Sequence, residues 1–557
     1  MEEIREKLNL AARQVFGEAL SDDFLVEVTL APEGSGADFS SNVAMQLASK
    51  VHAAPREVAE KIISELPSNF PFSVSVAGPG FLNFIAFDEY YVTKLADFQD
   101  NFEKNISRDE YSGKTVVCEF SDPNPFKVLH VGHLYTSIVG DAMSRLVEFA
   151  GGKVIRANFG GDVGLHVAKT LYAVLKNDED TENIETIAKC YVEGTRAYEE
   201  DEKAKAEIVE LNKKIYQIAE KGTEFDWDDA EMARLAELYW RGREVSYQYF
   251  NDFYARIGVK FDKYYPESMV AKRGLDEVRK HVGEVYEDSD GAVIFPGEKY
   301  DLHTRVFINK EGLPTYEAKD VGLIFTKWDD YHFDQSVVIT GNDIIDYMKV
   351  VLKSISLYAP ELVEKTKHIT HGNVRLPGNE KMSSRKGNFI RAVDVLDEVS
   401  ELVPTDFQVA LGAIKYAFLK YKVGGNIEFD AKASVSTTGN SGVYLQYSAV
   451  RAKKILAAVG NVTGELASGA VLNGYEKTLL RKVFEYKEVL SEAVTELAPH
   501  KLANYLFEVS QEFSRFYENV KVAGSEEEAM RTNIVAVYLS VMTHGLNLMG
   551  IEVSEEM

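Results

Sequence analysis

The sequence is poor in cysteine and has no long apolar run. Its two cysteines, Cys118 and Cys190, stand far apart, and neither has a partner at a paired spacing. This excludes a disulfide scaffold, argues against a structural zinc site and is typical of a reducing compartment. No apolar run reaches the roughly 18 residues of a membrane helix, and the acidic start MEEIREKLNL lacks the order of a secretory signal. We therefore expect a cytoplasmic protein without a membrane segment.

Positive charge is also scarce, since the formal net charge is −26. This argues against a nucleic-acid partner, because lysine and arginine drive the binding of phosphates. Local clusters can still present a basic face on an acidic protein, and two occur at 381–391 and 451–454. From these residues alone, a nucleic-acid surface and scattered solvated charges both stay open.

Two common phosphate-binding motifs are missing. There is no G-x-G-x-x-G, and the segment Gly113-Lys114-Thr115 lacks the P-loop glycine because Arg108 stands at that position. Neither a dinucleotide-binding fold nor a Walker ATPase is supported.

The length of 557 residues predicts three or four domains. Residues 1–110 form a small mixed α and β pattern, with a strand at 72–76 before the turn Gly78-Pro79-Gly80. From 111 to 396 strands and helices alternate, which is typical of a parallel sheet; strands are predicted at 114–120, 153–159, 336–341 and 368–376. A helical insertion is expected at about 176–256. From 397 to 557 nearly every segment has a helical period.

A pair of histidines follows the first predicted parallel strand. After Ser121-Asp122-Pro123-Asn124 and Lys127 comes His130-Val131-Gly132-His133, which leads into a helix. Such a helix N-terminus favours phosphate, and two imidazoles on one face can donate hydrogen bonds to phosphate oxygens. Gly132 leaves room for a base or ribose. Capping or surface histidines remain an alternative for this motif alone.

A basic segment, KMSSRKGN at 381–388, follows a later predicted strand. In this order on one α/β frame, the two elements resemble the HIGH and KMSKS signatures of class I aminoacyl-tRNA synthetases. The resemblance to the arginyl enzymes of that class runs nearly end to end. It is carried by the blocks GPGFLNF, CEFSDPN, RANFGGDVG, GVKFDKYYPES, LPTYEAKD, NSGVYLQYSAVR and HKLANYLFEVSQEFSRFYENVKV.

This resemblance implies an α/β fold with a Rossmann-like catalytic domain at 111–396. It also implies an N-terminal α+β add-on domain at 1–110 and an all-α anticodon-binding domain at 397–557. The implied reaction is the activation of L-arginine with ATP and its transfer to tRNA(Arg), with Mg²⁺ accompanying the nucleotide and the first step depending on bound tRNA. We expect a monomer without structural zinc.

Site residues follow from the same resemblance, position by position. The set for arginine fits the chemistry, because a planar guanidinium with five donors calls for carboxylates and an aromatic face. The expected arginine-binding residues are Glu119, Asn124, His130, Tyr316, Asp320 and Asn342, the last in place of the family's usual residue. Those for ATP are Gly132, His130, His133, Lys381, Ser383 and Lys386.

Catalysis is assigned by the resemblance to His130, His133, Lys381 and Lys127. The last lysine of the KMSKS signature is Ser384 here, and Lys127 matches a lysine that arginyl enzymes are thought to use in compensation. The residues expected to contact tRNA are Phe81, Asn83, Tyr444, Gln446, Tyr447 and Arg451. An aromatic stripe such as the one at 444–451 is also common in a helical core.

Two rival hypotheses are a silent relative that binds tRNA or arginine without catalysis and a class I synthetase for another amino acid. The histidine pair and the basic segment argue against the first. Glutamate is the least unfavourable other substrate, but Glu119 and Asp320 would repel it. The predicted insertion is helical, unlike the β-rich editing domain of the enzymes for isoleucine, valine and leucine, and a guanidinium can be selected by charge without editing.

Overall fold

The computed structural model describes residues 1–21, 24–32, 35–375, 390–404, 406–460 and 469–556. Within them the chain divides into two units. The first comprises Met1–Ile106, Arg451–Lys487 and Glu508–Val541, and the second comprises Ser107–Val450, Glu488–Phe507 and Met542–Met557. None of the described helices is long and apolar enough to cross a membrane.

The N-terminal part of the first unit is an antiparallel sheet with helices on it. Its strands are β1 (Thr29–Leu30), β2 (Phe39–Ser41), β3 (Phe72–Ala77) and β4 (Phe81–Ala86), in the order β1-β2-β4-β3. Its helices are α1 (Glu2–Phe16), α2 (Val43–Ala48), α3 (Pro55–Ser64), α4 (Asp88–Asp100) and α5 (Phe102–Ile106). Side chains of β4 alternate, so Leu82 and Phe84 are buried while Phe81 and Ile85 are exposed.

The second unit is built on a five-stranded parallel sheet. Its strands are β5 (Thr115–Glu119), β6 (Lys153–Gly160), β7 (Lys263–Pro266), β11 (Gln335–Gly341) and β12 (Thr366–His371), in the order β12-β11-β5-β6-β7. A three-stranded antiparallel sheet of β8 (Glu287–Ser289), β9 (Ala292–Phe295) and β10 (Arg305–Ile308) is inserted after β7. The predicted Rossmann-like class is confirmed.

Helices pack around this parallel sheet, and the three between residues 184 and 257 correspond to the helical insertion expected at about 176–256. They are α6 (Val131–Phe149), α7 (Leu165–Lys176), α8 (Ile184–Glu200), α9 (Glu202–Lys221), α10 (Ala230–Ile257), α11 (Glu267–Lys280), α12 (Tyr316–Tyr331), α13 (Ile345–Ser356) and α14 (Pro360–Glu364). The strand β5 is buried on both faces, which explains its continuous apolar run. Gly140 of α6 is needed for close packing, because a Cβ there would lie 2.1 Å from the ring of Phe120.

The remaining elements are helical, as predicted, apart from one short strand pair. The helices are α15 (Ala392–Leu402), α16 (Phe407–Leu419), α17 (Ala431–Ser434), α18 (Gly442–Val459), α19 (Gly474–Phe484), α20 (Tyr486–Glu496), α21 (Pro499–Asn519) and α22 (Glu528–Leu548). The strands β13 (Val374–Arg375) and β14 (Ile427–Glu428) pair in parallel.

The single strand predicted at 368–376 is wrong in its second half. The chain leaves the large sheet after His371, and β13 pairs with β14 instead. The turn occurs at Gly372, which packs against the backbone: a Cβ there would lie 2.2 Å from the carbonyl oxygen of Gly425.

Candidate active site

A cavity of about 1270 Å³ opens at the carboxyl ends of the parallel strands in the second unit. This edge is where open α/β sheets bind ligands. The polar residues of its lining come from β5, the loop after it, α6, α11, β10, α12, α13 and the ends of β11 and β12. They include Glu119, Ser121, Asp122, Asn124, His130, His133, Glu267, Arg305, Tyr316, Asp320, Asp343, Tyr347 and His371.

The loop from β5 to α6 is held in an unusual conformation. Ser121 and Asp122 have positive φ angles of 75° and 50°, which L-residues rarely adopt. Buried contacts hold them there: the Ser121 hydroxyl lies 2.8 Å from the Tyr254 hydroxyl, and the Phe159 N–H donates to Asp122 Oδ1 at 2.8 Å. This loop therefore brings the cavity residues before α6 into fixed positions.

His130 and His133 stack at the N-terminus of α6, with ring centroids 3.8 Å apart. The Gly132 N–H donates to His130 Nδ1 at 3.1 Å, and the His130 N–H donates to His133 Nδ1 at 3.1 Å. Because both Nδ1 atoms accept, each neutral ring carries its proton on Nε2. Burial, with a further contribution from the Lys127 charge, lowers the pKa of His130 to about 4, and burial holds the pKa of His133 well below its usual value. Both rings are therefore uncharged donors at neutral pH.

The deep end of the cavity is acidic. Glu119, at the end of β5, is only 3% exposed and forms an ion pair with Lys327 of α12. Asp320 of α12 accepts a hydrogen bond from the Tyr347 hydroxyl, and burial raises its pKa to about 7. Glu267, at the start of α11, pairs with Lys319, and burial raises its pKa as well. This end is suited to a cationic group.

Five of the six residues that were predicted to bind arginine line this cavity. They are Glu119, Asn124, His130, Tyr316 and Asp320. Tyr316 and Asp320 lie on one face of the first turns of α12, as their spacing predicts, and Tyr316 is 58% exposed at the mouth. The Oδ1 atom of Asn124 accepts from the Gly161 N–H at 2.9 Å.

Asn342 is placed differently from the prediction. Its amide donates to the Gly424 carbonyl at 2.8 Å, and the cavity lining contains its neighbour Asp343 instead. The segment at 341–344 enters a short 3₁₀ turn, which directs adjacent side chains to different surroundings. Asp343 is therefore the better candidate for a contact at this strand end.

The predicted cationic residues are only partly visible in the structure. Lys127 lies over the ring of Tyr191 in α8, with Nζ 4.8 Å from the ring centroid, and it is outside the cavity lining. Its charge still acts on both histidines. The predicted residues Lys381, Ser383 and Lys386, with Ser384, lie outside the described residues.

Several cavity residues were missed from the sequence. Asp122 lies in the segment CEFSDPN and Glu267 in GVKFDKYYPES, two of the segments that resemble arginyl-tRNA synthetases. Both residues could therefore have been identified as candidates from the sequence. Arg305, Tyr347 and His371 carry no comparable signal. They reach the cavity only through the packing of β10, α13 and β12 around it.

The residues predicted to contact tRNA lie on two different surfaces. Phe81 is exposed at the start of β4, and the Asn83 Oδ1 atom accepts from the Ser40 hydroxyl at 3.0 Å. In α18 Tyr447 is 37% exposed, Tyr444 packs on Phe507 and Arg451 stacks on Tyr517 at 4.5 Å.

Gln446 is not available for a contact with tRNA, and its assignment is wrong. It is fully buried, and its Nε2 donates to the carbonyls of Val409 and Gly442 at 3.2 and 3.3 Å. The side chain thus points into the packing between α16 and α18.

Family models match three parts of the chain. Residues 99–407 match the catalytic domain of the tRNA synthetases class I (R), residues 445–557 match the DALR anticodon binding domain, and residues 2–86 match the arginyl tRNA synthetase N terminal domain. The first match alone covers more than half of the chain.

Similar whole proteins were also found. An arginine–tRNA ligase of Treponema denticola is 26% identical, with 100% of this chain and 98% of that protein covered. One from Clostridium botulinum is 27% identical, with 92% of each covered. The fold is similar to the solved structures of the arginyl-tRNA synthetases from Thermus thermophilus (TM-score 0.76, 20% identity, 100% of both chains covered) and Plasmodium falciparum (TM-score 0.76, 19% identity, 100% and 99% covered).

Proposed function

The chain belongs to the arginyl-tRNA synthetases of class I, and we propose that the cavity of its second unit performs both steps of that family's reaction. In the first step arginine and ATP give arginyl-adenylate and pyrophosphate. In the second, tRNA(Arg) takes the arginyl group and AMP leaves. The observation that carries the proposal is the meeting, in one cavity, of two uncharged imidazole donors and a buried acidic pocket.

The first step is an in-line displacement at the α-phosphorus. A carboxylate oxygen of arginine forms a bond to that phosphorus, and the bond to the bridging oxygen of pyrophosphate breaks. His130 and His133 donate from Nε2 to phosphate oxygens as charge develops on them. Since the rings are neutral before the reaction, they stabilise this charge without a proton transfer. Mg²⁺ enters with the nucleotide as part of the substrate.

The second step needs no covalent enzyme intermediate. A ribose hydroxyl of the terminal adenosine of tRNA attacks the activated carbonyl carbon, and the bond from that carbon to the phosphate oxygen of AMP breaks. The hydroxyl proton leaves to the departing phosphate or to solvent. The site contributes mainly by holding both reactants in position.

Recognition of arginine is assigned to the acidic end of the cavity. Asp320 supplies a carboxylate for the guanidinium, and the exposed ring of Tyr316 lies where it can cover the planar group. Asn124 and His130 stand nearer α6, where the α-amino and carboxylate end would reach the triphosphate.

Other groups are proposed to complete the nucleotide site. Lys127 would leave the ring of Tyr191 and meet the phosphates, and the family resemblance assigns the same task to Lys381, Ser383 and Lys386. Cations are the usual partners of a transferring phosphoryl group.

Contacts to tRNA are proposed for two surfaces. Phe81 and Asn83 of β4 would meet a splayed base, since an exposed ring next to an amide suits stacking and hydrogen bonding. Tyr444, Tyr447 and Arg451 of α18 would contact bases and phosphates of another part of the tRNA.

We further propose that the enzyme is a cytoplasmic monomer. Both cysteines are buried free thiols, which suit a reducing compartment. Light scattering on the purified chain tests this state, because a monomer has a mass of 62.4 kDa. A mass of twice that value would contradict it.

The function is tested by aminoacylation of total tRNA with each of the twenty amino acids. Charging by arginine alone is expected, and charging by another amino acid would refute the assignment. ATP–pyrophosphate exchange should be run with and without tRNA, and arginine-dependent exchange without tRNA would contradict the expected dependence of the first step. Absence of both activities in folded protein would favour a silent relative.

A further inference from the structure

Two of the carboxylates that line the cavity have a buried lysine of their own. Glu119 pairs with Lys327 and Glu267 pairs with Lys319, and none of these four side chains is more than 4% exposed. A charge that is buried this deeply is tolerated when an opposite charge compensates it. Each of these glutamates is therefore already neutralised before any substrate enters.

The two aspartates at the same end have no such partner. Asp122 accepts from the Phe159 N–H, and Asp320 accepts from the Tyr347 hydroxyl. Among the described residues neither aspartate forms an ion pair. Burial first, and the charge of Glu119 among the other contributions, raises the pKa of both carboxyls. The negative charge that awaits a cation is thus on the aspartates.

Lys327 is held between two strands and is not part of the cavity lining. It comes from α12, is 1% exposed, and donates both to Glu119 Oε2 in β5 and to the Ser336 hydroxyl in β11 at 3.0 Å. Glu119 itself does line the cavity. The lysine thus lies behind the carboxylate, on the side away from a substrate.

Building on the function proposed above, we propose that Lys327 is a positioning residue that neutralises Glu119, so that Asp320 is the carboxylate whose charge is met by the guanidinium of arginine. Glu119 then serves as a hydrogen-bond acceptor of fixed orientation. Of the two aspartates without an ion pair among the described residues, Asp320 shares its helix face with Tyr316, so its carboxylate is the one assigned to the monocation.

The neighbouring titratable groups agree with this division of charge. They act on the Glu119, Lys327 and Asp320 cluster from β5, the loop after it, β7, α11 and α13. They are Cys118, Asp122, Tyr265, Glu267 and Tyr347. All of these are neutral or anionic. The two other cations beside the cavity, Arg305 and Lys319, pair with Glu317 and Glu267, so Lys327 is the cation that offsets Glu119 among the described groups.

The first test removes the pair as a unit. Glu119→Gln combined with Lys327→Met leaves no uncompensated buried charge, so the fold should persist. With arginine-dependent pyrophosphate exchange in the presence of tRNA at pH 8, the KM for arginine should rise by less than about 10-fold. Asp320→Asn should raise it by about 100-fold, the loss typical of a hydrogen bond to a charged group. A double variant that loses arginine as severely as Asp320→Asn would overturn the proposal.

The second test follows the pH dependence of the single variant. In Lys327→Met the buried carboxyl of Glu119 loses its cation, which destabilises its charged form and favours its protonation as the pH falls. The KM for arginine should therefore rise at pH 7, by no more than the limit of about 10-fold set for the double variant, and return toward the wild-type value by pH 9, with kcat changed less. Lys327→Arg should keep the wild-type profile.

Lys415→Met is the matched control. Lys415 is also buried, at 3% exposure, but its ammonium group donates to the Gly550 carbonyl away from the cavity. This variant should lose stability without moving the pH profile for arginine. If the KM for arginine of Lys327→Met equals that of wild type at every pH, or is raised by the same factor at every pH, Lys327 has only a structural role and the proposal is overturned.

The two proposals fail in different ways. If folded wild-type enzyme does not charge arginine, the proposed function falls and this inference falls with it. If wild type charges arginine but Lys327→Met shows no pH shift, only the inference is refuted. If Lys327→Met does not fold, the double variant decides the question.

Discussion

Asparagine at position 320 should stabilise the empty enzyme while weakening arginine binding. Burial raises the pKa of Asp320 from an ordinary 3.8 to about 7, so at pH 8 the folded protein holds an ionised carboxylate in an unfavourable place. A shift of about 3 units corresponds to about 4 kcal/mol, at about 1.4 kcal/mol per unit. Asp320 faces the cavity, where water screens it, so about 4 kcal/mol is an upper limit. Asparagine keeps the size and the acceptor for Tyr347 without the charge.

The stability difference between Asp320→Asn and wild type depends on pH. Because the folded-state pKa is above the unfolded value, the folded protein binds more protons between about pH 4 and pH 7, and wild-type stability from this group is lost as the pH rises through that window. Asp320→Asn should therefore gain stability relative to wild type at pH 8 and little or nothing near pH 4.

The assay is thermal unfolding of both proteins at pH 5 and pH 8, with and without arginine. Arginine at a concentration near the wild-type KM should raise the melting temperature of wild type by mass action and leave that of Asp320→Asn nearly unchanged. Because the chain has two units, hydrogen exchange in α12 should identify the transition that belongs to the catalytic one. Asp301→Asn is a control at an exposed position. A variant less stable than wild type at pH 8, or equally stabilised at both pH values, would refute the reasoning.

Three further outcomes are expected. His133→Ala should lower kcat about 100-fold or more with little change in the KM for arginine. In wild type, kcat should show no inflection from a histidine between pH 6 and 8. Pyrophosphate-exchange kinetics measure both. Gln446→Ala should cost about 1 to 3 kcal/mol of stability by removing two hydrogen bonds and leaving a cavity, with unchanged tRNA affinity. In contrast, Tyr447→Ala should weaken tRNA binding without melting the protein. Phe81→Ala should weaken tRNA binding in a filter assay by about 1 to 3 kcal/mol, and a variant with wild-type affinity would exclude a stacking role.

The fold could be predicted where the hydrophobic period is long and regular. The βαβ alternation after 113 and the helical period of the insertion gave elements close to β5, α6, β6, α8, α9 and α10. The strand at 368–376 failed because its break depends on a contact with Gly425, which is distant in sequence. A local pattern does not contain that contact.

The candidate site was predictable to the extent that its residues sit in short motifs. His130 and His133 are three apart, and their stacking follows from the helix that starts there. The Glu119–Lys327 pair joins residues 208 positions apart, so no spacing could suggest it. Gln446 fails for a different reason: with aromatic and polar residues on several faces of α18, the sequence does not say which face is covered.

The pKa shifts at the two ends of the cavity have a common consequence for charge. The histidines are neutral at pH 7, so they do not repel an incoming guanidinium. The raised pKa of Asp320 leaves that carboxyl partly protonated at the same pH, so the empty pocket repels the phosphates of ATP less than an ionised cluster would. Arginine then fixes Asp320 in its ionised form and cancels the charge at once. The burial that shifts the pKa of both kinds of group thus reduces the charge that the empty cavity presents, both to a polyanion and to a cation.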